Sequence, residues 1–241
     1  MKLSIIIPVL NEEETIGTVL QNLLLLDLPA EKEIIAVDDG STDSSSAIIN
    51  SMASSHSTIK AVYCKNRQGK GKAIQKAIPH ITGDMVIIQD ADLEYDTADY
   101  KSLIQPIISN KADIVFGSRF LGSINNMKFQ YLLANKILTI TANLIYGLSL
   151  TDEATAYKLF KTDIFKRFDI RSKGFEFCPE VVAKSARMNC RIMEIPVSYH
   201  ARNSREGKKI KWHDAFTAVY TLLKYRFWKP APAPAGFSSP Q

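Results

Sequence analysis

An α/β fold with a mostly parallel sheet flanked by helices is what the first half of this 241-residue chain predicts. Short runs that are apolar at every position alternate with segments of helical period, as strands covered on both faces do. Each run also stops at a polar cluster, and in such sheets ligands bind beyond the carboxyl ends of the strands.

Leu3 to Val9 is the first apolar run, closed by Pro8 and the turn former Asn11, and Glu12 to Leu26 follows with helical period. Glu33 to Val37 is a second strand, ending in Asp38-Asp39-Gly40-Ser41-Thr42-Asp43, a turn joined to a helix N-cap. The helix then runs through Ile48, Ile49 and Met52. Ile59 to Cys64 is a third strand, leading into Asn66-Arg67-Gln68-Gly69-Lys70-Gly71-Lys72 and a helix to Ile81. Met85 to Gln89 is a fourth strand and Ala112 to Gly117 a fifth. Asn11-Glu12, Asp38-Asp39, Gly69-Lys70-Gly71, Asp90-Asp92 and Ser118-Arg119 therefore share one rim.

The second half predicts a helix over Phe129 to Tyr146, a polar loop over Thr151 to Lys158, a short strand over Tyr157 to Phe160 and a helix over Cys178 to Met188. Arg191 to Tyr199 is a strand whose Pro196 assigns it to a sheet edge or a bulge. Trp212 to Trp228 is a last amphipathic helix. Residues 1–228 are expected to form one domain, and the Pro, Ala and Ser tail 229–241 is expected to be disordered.

Composition narrows the function classes. A chain with 46% hydrophobic residues buries one sizeable core. The net charge of +5 is concentrated, with five basic residues and no acid between Lys65 and Lys76, and five against the single Glu206 between Arg202 and Lys211. Such patches suit a diphosphate, a lipid phosphate, a membrane surface or nucleic acid, and as basic turns they would also serve as a solvated face. Three cysteines without metal-like spacing point to a reducing compartment. The apolar start is followed by Pro8 and Glu12-Glu13-Glu14, which reads as a strand rather than a signal peptide. No stretch reaches about 18 uninterrupted apolar residues, so no spanning helix is expected. The four histidines are scattered without ligand spacing.

The carboxylates Asp90 and Asp92 close a buried strand one residue apart. Hard oxygen ligands there suit Mg²⁺ or Mn²⁺ with coordination positions left for phosphate oxygens, and Glu94 is a candidate third group. Asp38 and Asp39 end the second strand, where a carboxylate can accept from a base N–H or a ribose hydroxyl. Gly69-Lys70-Gly71-Lys72 lets backbone N–H groups approach a phosphate, but it lacks P-loop spacing, which disfavours ATP hydrolysis.

In order, these pieces resemble the family 2 glycosyltransferases of the GT-A, Rossmann-like fold, and within them the polyprenyl- or dolichol-phosphate mannosyl- and glucosyltransferases. The resemblance spans about residues 2 to 225. It rests on Ile7-Pro8-Val9-Leu10-Asn11-Glu12, Val37-Asp38-Asp39-Gly40-Ser41, Asn66 to Lys72, Asp90-Ala91-Asp92-Leu93-Glu94, Gly117-Ser118-Arg119 and Asp152-Glu153-Ala154-Thr155-Ala156-Tyr157-Lys158. Phe175-Glu176-Phe177 with Pro179-Glu180, and Tyr199-His200-Ala201-Arg202 with Glu206-Gly207-Lys208-Lys209, complete it.

The resemblance implies that Pro8, Glu12, Val37 and Asp39 cradle the nucleoside, with Leu10, Lys72 and Ala91 in the same donor pocket. It implies that Asp90, Asp92 and Glu94 hold the metal, and that Arg119, Arg202 and Lys208 contact donor or acceptor phosphates. Arg205 and Lys209 belong to the same basic segment. Asp152 takes the place of an acid that acts as general base in many relatives. Glu94, Ala156 and the 202–209 segment depart from the mannosyltransferase pattern, which leaves the sugar open between GDP-mannose and UDP-glucose types.

The expected reaction is inverting, metal-dependent hexose transfer from a nucleotide sugar to a polyprenyl phosphate. A phosphomonoester with a second pKa of about 6 is already ionised, so positioning and charge neutralisation carry the work. A hydroxyl acceptor would instead need Asp152 as a base. A basic nucleic-acid module is the remote alternative, opposed by the acid clusters. Aromatic and basic residues mixed over 127–146 and 212–228 predict peripheral contact with a membrane, at its cytoplasmic face, or with a membrane protein.

Overall fold

The computed structural model describes residues 1–201 and 212–230. β1 (Lys2–Val9), α1 (Ile16–Leu25), β2 (Glu31–Asp38), α2 (Ser45–Ser55), β3 (Ile59–Tyr63), α3 (Lys70–Ala77) and β4 (Met85–Ile88) follow the alternation that the apolar runs require. Then come α4 (Tyr100–Ile108), β5 (Ile114–Asn125), α5 (Phe129–Tyr146), β6 (Lys158–Lys161), α6 (Thr162–Arg167), α7 (Phe177–Arg187), β7 (Ile192–His200) and α8 (Trp212–Tyr225). The strands form a sheet of order β3-β2-β1-β4-β6-β5-β7.

Strands β1 to β4 pair in parallel, and β5 pairs in parallel with β7. β6 runs antiparallel to both β4 and β5, the one departure from a parallel sheet. The order reverses between β2-β1 and β4, so a crevice opens beyond the ends of β1, β2 and β4, the usual ligand position in such sheets. Pro196 does lie on an edge strand, since β7 ends the sheet.

Alternation along β1 splits the core. Leu3, Ile5, Ile7 and Val9 pack with α1 and α4 on one face, while Ile6 joins Ile35, Val37, Val86 and Ile88 against α3 and α7 on the other. α4 adds a helix after the acid cluster, and its apolar residues Tyr100, Leu103, Ile104 and Ile107 have the i, i+3, i+4, i+7 spacing of one helical face. β5 runs past Gly117 because its pairing with β7 shifts register between Ser118 and Ser123. Glycine is required there: a Cβ on Gly122 would lie 2.2 Å from the Val197 carbonyl oxygen. The segment expected as a polar loop, 151–158, is interior, with Asp152, Glu153, Thr155 and Lys158 all fully buried.

A buried polar knot ties the amino ends of β1 and β2 to the turn before β4. Glu33 accepts from Ser4 Oγ at 2.6 Å, from Thr82 N at 2.7 Å and from Thr82 Oγ1 at 2.8 Å, with Lys60 Nζ at 3.1 Å. Burial alone would raise the Glu33 carboxyl, but these donors outweigh it and hold it down at about 2. A depressed carboxyl contributes stability that is complete above its unfolded value of 4.5 and lost as pH falls towards about 2. Urea unfolding across this window should therefore show a steep loss in the wild type and a flatter curve for Glu33→Gln. Parallel curves would assign the acid sensitivity to other carboxylates.

Candidate functional site

The crevice is built from loops that tie one another down. After β1, Asn11 turns the chain with φ 51° and its Oδ1 accepts from Thr42 N at 2.8 Å. The backbone N–H groups of Asn11 and Glu12 donate to Ser41 Oγ and Ser45 Oγ, at 3.0 and 2.8 Å. Pro8, Leu10 and Glu12 are half-buried along this wall. Val37 is placed differently from the nucleoside contact expected of it: its side chain is fully buried in the core, on the sheet face that α3 and α7 cover.

The two acids after β2 serve the loops first. Asp38 accepts from Ser41 N at 3.2 Å and from Ser46 Oγ. Asp39 accepts from Gln68 N at 2.8 Å and Gly69 N at 2.7 Å, so it fixes the loop that enters α3. The Gly69 N–H, first of the run expected to approach a phosphate, thus holds Asp39 instead. Lys72 N, in the first turn of α3, donates to Lys173 O at 3.2 Å, and a Cβ on Gly69 would lie 2.4 Å from that oxygen. Two N–H groups of the glycine-lysine run, those of Gly69 and Lys72, are thus taken by partners within the protein.

Lys72 turns its ammonium to Gln75 Oε1, 2.8 Å away. Lys70 is the lysine that reaches the acid rim, its Nζ 2.5 Å from Asp90 Oδ1. Burial would lower its pKa, but the Asp90 carboxylate outweighs burial and raises it, so this ammonium stays charged.

Asp90 and Asp92 stand on the turn after β4, both partly exposed. Leu93 takes φ 59°, and Asp92 Oδ1 accepts from Glu94 N at 3.2 Å. Ala91 is buried, and its carbonyl accepts from Thr15 Oγ1 at 2.6 Å, which pins the turn to the start of α1. Glu94 does not complete a three-carboxylate set. Tyr199 donates to its Oε2 at 2.8 Å, and no group of three metal-ligating side chains occurs among the described residues. The fit is to an ion of the Mg²⁺ or Mn²⁺ kind, which takes one or two carboxylates and completes its shell from water and substrate phosphates. Asp90 and Asp92 are the two acids that would hold such an ion, and Lys70 adds a positive charge beside Asp90.

The second half of the site is a buried ion pair. Arg119 Nε donates to Asp152 Oδ2 at 2.7 Å and its Nη2 to Oδ1 at 2.8 Å, while the Arg119 backbone N–H reaches the same carboxylate at 3.0 Å. Glu194 holds the loop behind it, accepting from Thr151 N at 2.7 Å and Asp152 N at 3.0 Å. The Arg119 guanidinium lies 5.1 Å from the Tyr199 ring centroid. Tyr199 therefore links the halves, with its hydroxyl on Glu94 and its ring beside Arg119. Tyr95 stacks on Tyr157 at 4.4 Å and meets the Tyr199 ring at 5.1 Å.

The expected site residues Asp90, Asp92, Glu94, Arg119 and Asp152 are thus gathered on one rim, with Asp152 enclosed rather than open. Arg202, Arg205, Lys208 and Lys209 lie outside the described residues. Glu194 joins the site from outside every motif of the resemblance, while Lys70 and Tyr199 lie within two of those motifs and take roles that the motifs do not assign. Lys70 stood within the quoted glycine-lysine run, but helix phase decides which lysine faces the acids. Tyr199 lies in the Tyr199-His200-Ala201-Arg202 motif, but its link between the two halves is not legible there, because its partners Arg119 and Glu94 are 80 and more residues away in sequence.

Comparison with known proteins adds to this geometry. The model of glycosyl transferase family 2 matches residues 4–168. A hexosyltransferase of low-salt glycan biosynthesis, Agl6 of Haloferax volcanii, is 30% identical over 226 residues, covering 92% of this chain and 53% of its own length. The chain thus spans about half of that relative. Dolichyl-phosphate beta-glucosyltransferase ALG5A of Trichomonas vaginalis is 30% identical over 240 residues, covering 92% of this chain and 72% of its own. Among solved structures, glucosyl-3-phosphoglycerate synthase of Mycobacterium tuberculosis, in complex with Mn²⁺, UDP-glucose and phosphoglyceric acid, superposes with a TM-score of 0.72 at 18% identity. It covers 93% of this chain and 79% of its own, a likeness of fold.

Proposed function

The chain belongs to glycosyl transferase family 2, and from that premise we propose that it moves a hexose from a nucleotide-diphosphate sugar to a polyprenyl phosphate, with inversion and with Mg²⁺ or Mn²⁺. One observation favours a phosphate acceptor over a hydroxyl. Asp152, the acid that would have to deprotonate a hydroxyl, is fully buried with both oxygens engaged by Arg119. An ionised phosphate needs no base, only a held position against the anomeric carbon and neutralisation of its charge. The relatives' names point the same way, the dolichyl-phosphate glucosyltransferase above all.

In this reading the wall formed by Pro8, Leu10, Glu12 and Asp39 receives the nucleoside. Asp90 and Asp92 would hold the metal, which when bound neutralises the departing diphosphate. Lys70 supplies a further positive charge at the same rim, and Arg119 faces the acceptor phosphate with the basic segment that includes Arg202, Arg205, Lys208 and Lys209. Transfer assays with UDP-glucose and GDP-mannose, offered undecaprenyl phosphate or saccharide hydroxyls, test the proposal. Product on the lipid phosphate alone is expected. Product on hydroxyls alone would overturn it.

The outer faces of α5 and α8 support a membrane seat for that reaction. Phe129, Leu133, Ile137, Ile140 and Leu144 follow one another along α5 at helical spacing and all are exposed, Leu144 by 81%. Phe216, Tyr220, Leu223 and Phe227 do the same along and just past α8, and Tyr146 Oη donates to Leu222 O at 2.5 Å where the two helices meet. Lys128, Lys136, Lys224, Arg226 and Lys229 flank the stripes, as in interfacial helices on anionic lipid. No helix among the described residues is long and apolar enough to cross a membrane. Peripheral attachment at the cytoplasmic face is therefore part of the proposal. Co-sedimentation with anionic vesicles at low salt should be strong for the wild type and at least tenfold weaker for Ile140→Glu with Leu144→Glu. Equal binding would move the membrane contact elsewhere.

A further inference from the structure

Glu153 stands beside Asp152 in the loop between α5 and β6 and has no solvent exposure. Neither of its carboxyl oxygens has a hydrogen-bond partner among the described residues. Its backbone is fixed on both sides: the N–H donates to Thr139 Oγ1 of α5 at 3.0 Å, and the carbonyl accepts from Lys158 Nζ of β6 at 2.7 Å. The side chain therefore occupies a firmly held interior position without the partners that a buried carboxylate needs.

The charged groups around it come from three directions: Lys158 from β6, Asp152 from its own loop and Arg119 from β5. α5 presents the Thr139 hydroxyl, itself turned to Asn135 O, and α7 presents the Cys178 thiol. Burial pushes the Glu153 carboxyl up to about 7, Lys158 and Arg119 opposing and Asp152 adding to the rise. With Glu153 protonated, the group of Arg119, Lys158, Asp152 and Glu153 carries one net positive charge. With Glu153 ionised it carries none.

We propose that Glu153 matches the charge of this cluster to its ligand, taking up a proton from solvent when the acceptor phosphate docks at Arg119 and returning it on release. The inference rests on the acceptor-phosphate reading above. Only an O–H bond forms, on a carboxyl oxygen of Glu153, and the buffer loses the proton. The direction follows from charge: a phosphate anion close to the cluster makes a second, unpartnered anion within it more costly, so the neutral acid is favoured. Glu153 acts through Arg119 and Lys158 and does not touch the substrate, so it is a positioning residue.

The test is calorimetric titration of the full chain, with UDP and Mn²⁺ present, by farnesyl phosphate at pH 7.5. Two buffers of different ionisation enthalpy give the number of protons exchanged. The same titration of Glu153→Gln subtracts the ligand's own ionisation. The wild type should take up on the order of half a proton more per bound ligand than the variant. Binding with equal proton uptake in the two proteins overturns this inference and leaves the acceptor reading standing. Absence of farnesyl phosphate binding by either protein overturns both. Should the variant fail to fold, difference infrared spectroscopy of the wild type decides. A gain in the protonated carboxylic acid band on adding farnesyl phosphate supports the inference, and no gain overturns it.

Discussion

Asp92→Ala is expected to abolish Mn²⁺-dependent thermal stabilisation by the nucleoside diphosphate and to lower hexose transfer by about a thousandfold or more, on the order of 4 kcal/mol of transition-state stabilisation. The argument begins with the turn after β4. Asp90 faces the Lys70 ammonium at 2.5 Å and Glu94 accepts from the Tyr199 hydroxyl, while Asp92, partly exposed on the same turn, accepts from the Glu94 N–H through Oδ1. An ion that takes one or two carboxylates and several phosphate oxygens loses half or more of its protein ligands when Asp92 is removed. The turn itself should survive, because Thr15 pins the Ala91 carbonyl and β4 is buried on both faces. Differential scanning fluorimetry with UDP and with GDP, each with and without Mn²⁺, separates the outcomes. Metal-dependent stabilisation that persists in the variant would take Asp92 out of the donor site.

Much of this was legible in the sequence, and what escaped has a physical pattern. The strands of the first half declare themselves because a strand covered on both faces is apolar at every position, as Ile5-Ile6-Ile7 and Val86-Ile87-Ile88 are. The rim follows from topology once the strands are known. α4 was hidden by Pro106, which sits in its last turn. The interior course of 151–158 was hidden because polar composition usually means a surface loop, whereas here an arginine from β5 pairs with Asp152, a carboxylate from β7 accepts from the Thr151 and Asp152 N–H groups, and a lysine from β6 donates to the Glu153 carbonyl. The fate of the glycine-lysine run depended on Asp39 and on Lys173 O, partners about 30 and 100 residues away. Local residue patterns specify elements and ends. They do not specify which buried partner claims a donor.

Asp152→Ala is expected to cost about 3–5 kcal/mol of folding stability, the range for removing one partner of a buried ion pair. Arg119 is almost fully buried, and without Asp152 its Nε and Nη2 hydrogens face no acceptor, while its desolvation remains. A loss of activity in this variant would by itself say nothing about a base. The pair Arg119→Met with Asp152→Leu resolves the ambiguity, since replacing both charges by apolar groups of similar volume is often near neutral. Urea unfolding should place this double variant within about 2 kcal/mol of the wild type. If it is folded yet inert towards a polyprenyl phosphate, Arg119 is required for the acceptor and not merely for the fold. If a third protein, Asp152→Asn, retains transfer to the phosphate within about tenfold, then the acid is a holder of Arg119 rather than a proton acceptor. A single Asp152→Ala cost below about 1 kcal/mol would show that the arginine finds another partner, with Tyr199 and the Glu94 carboxylate behind it the nearest candidates.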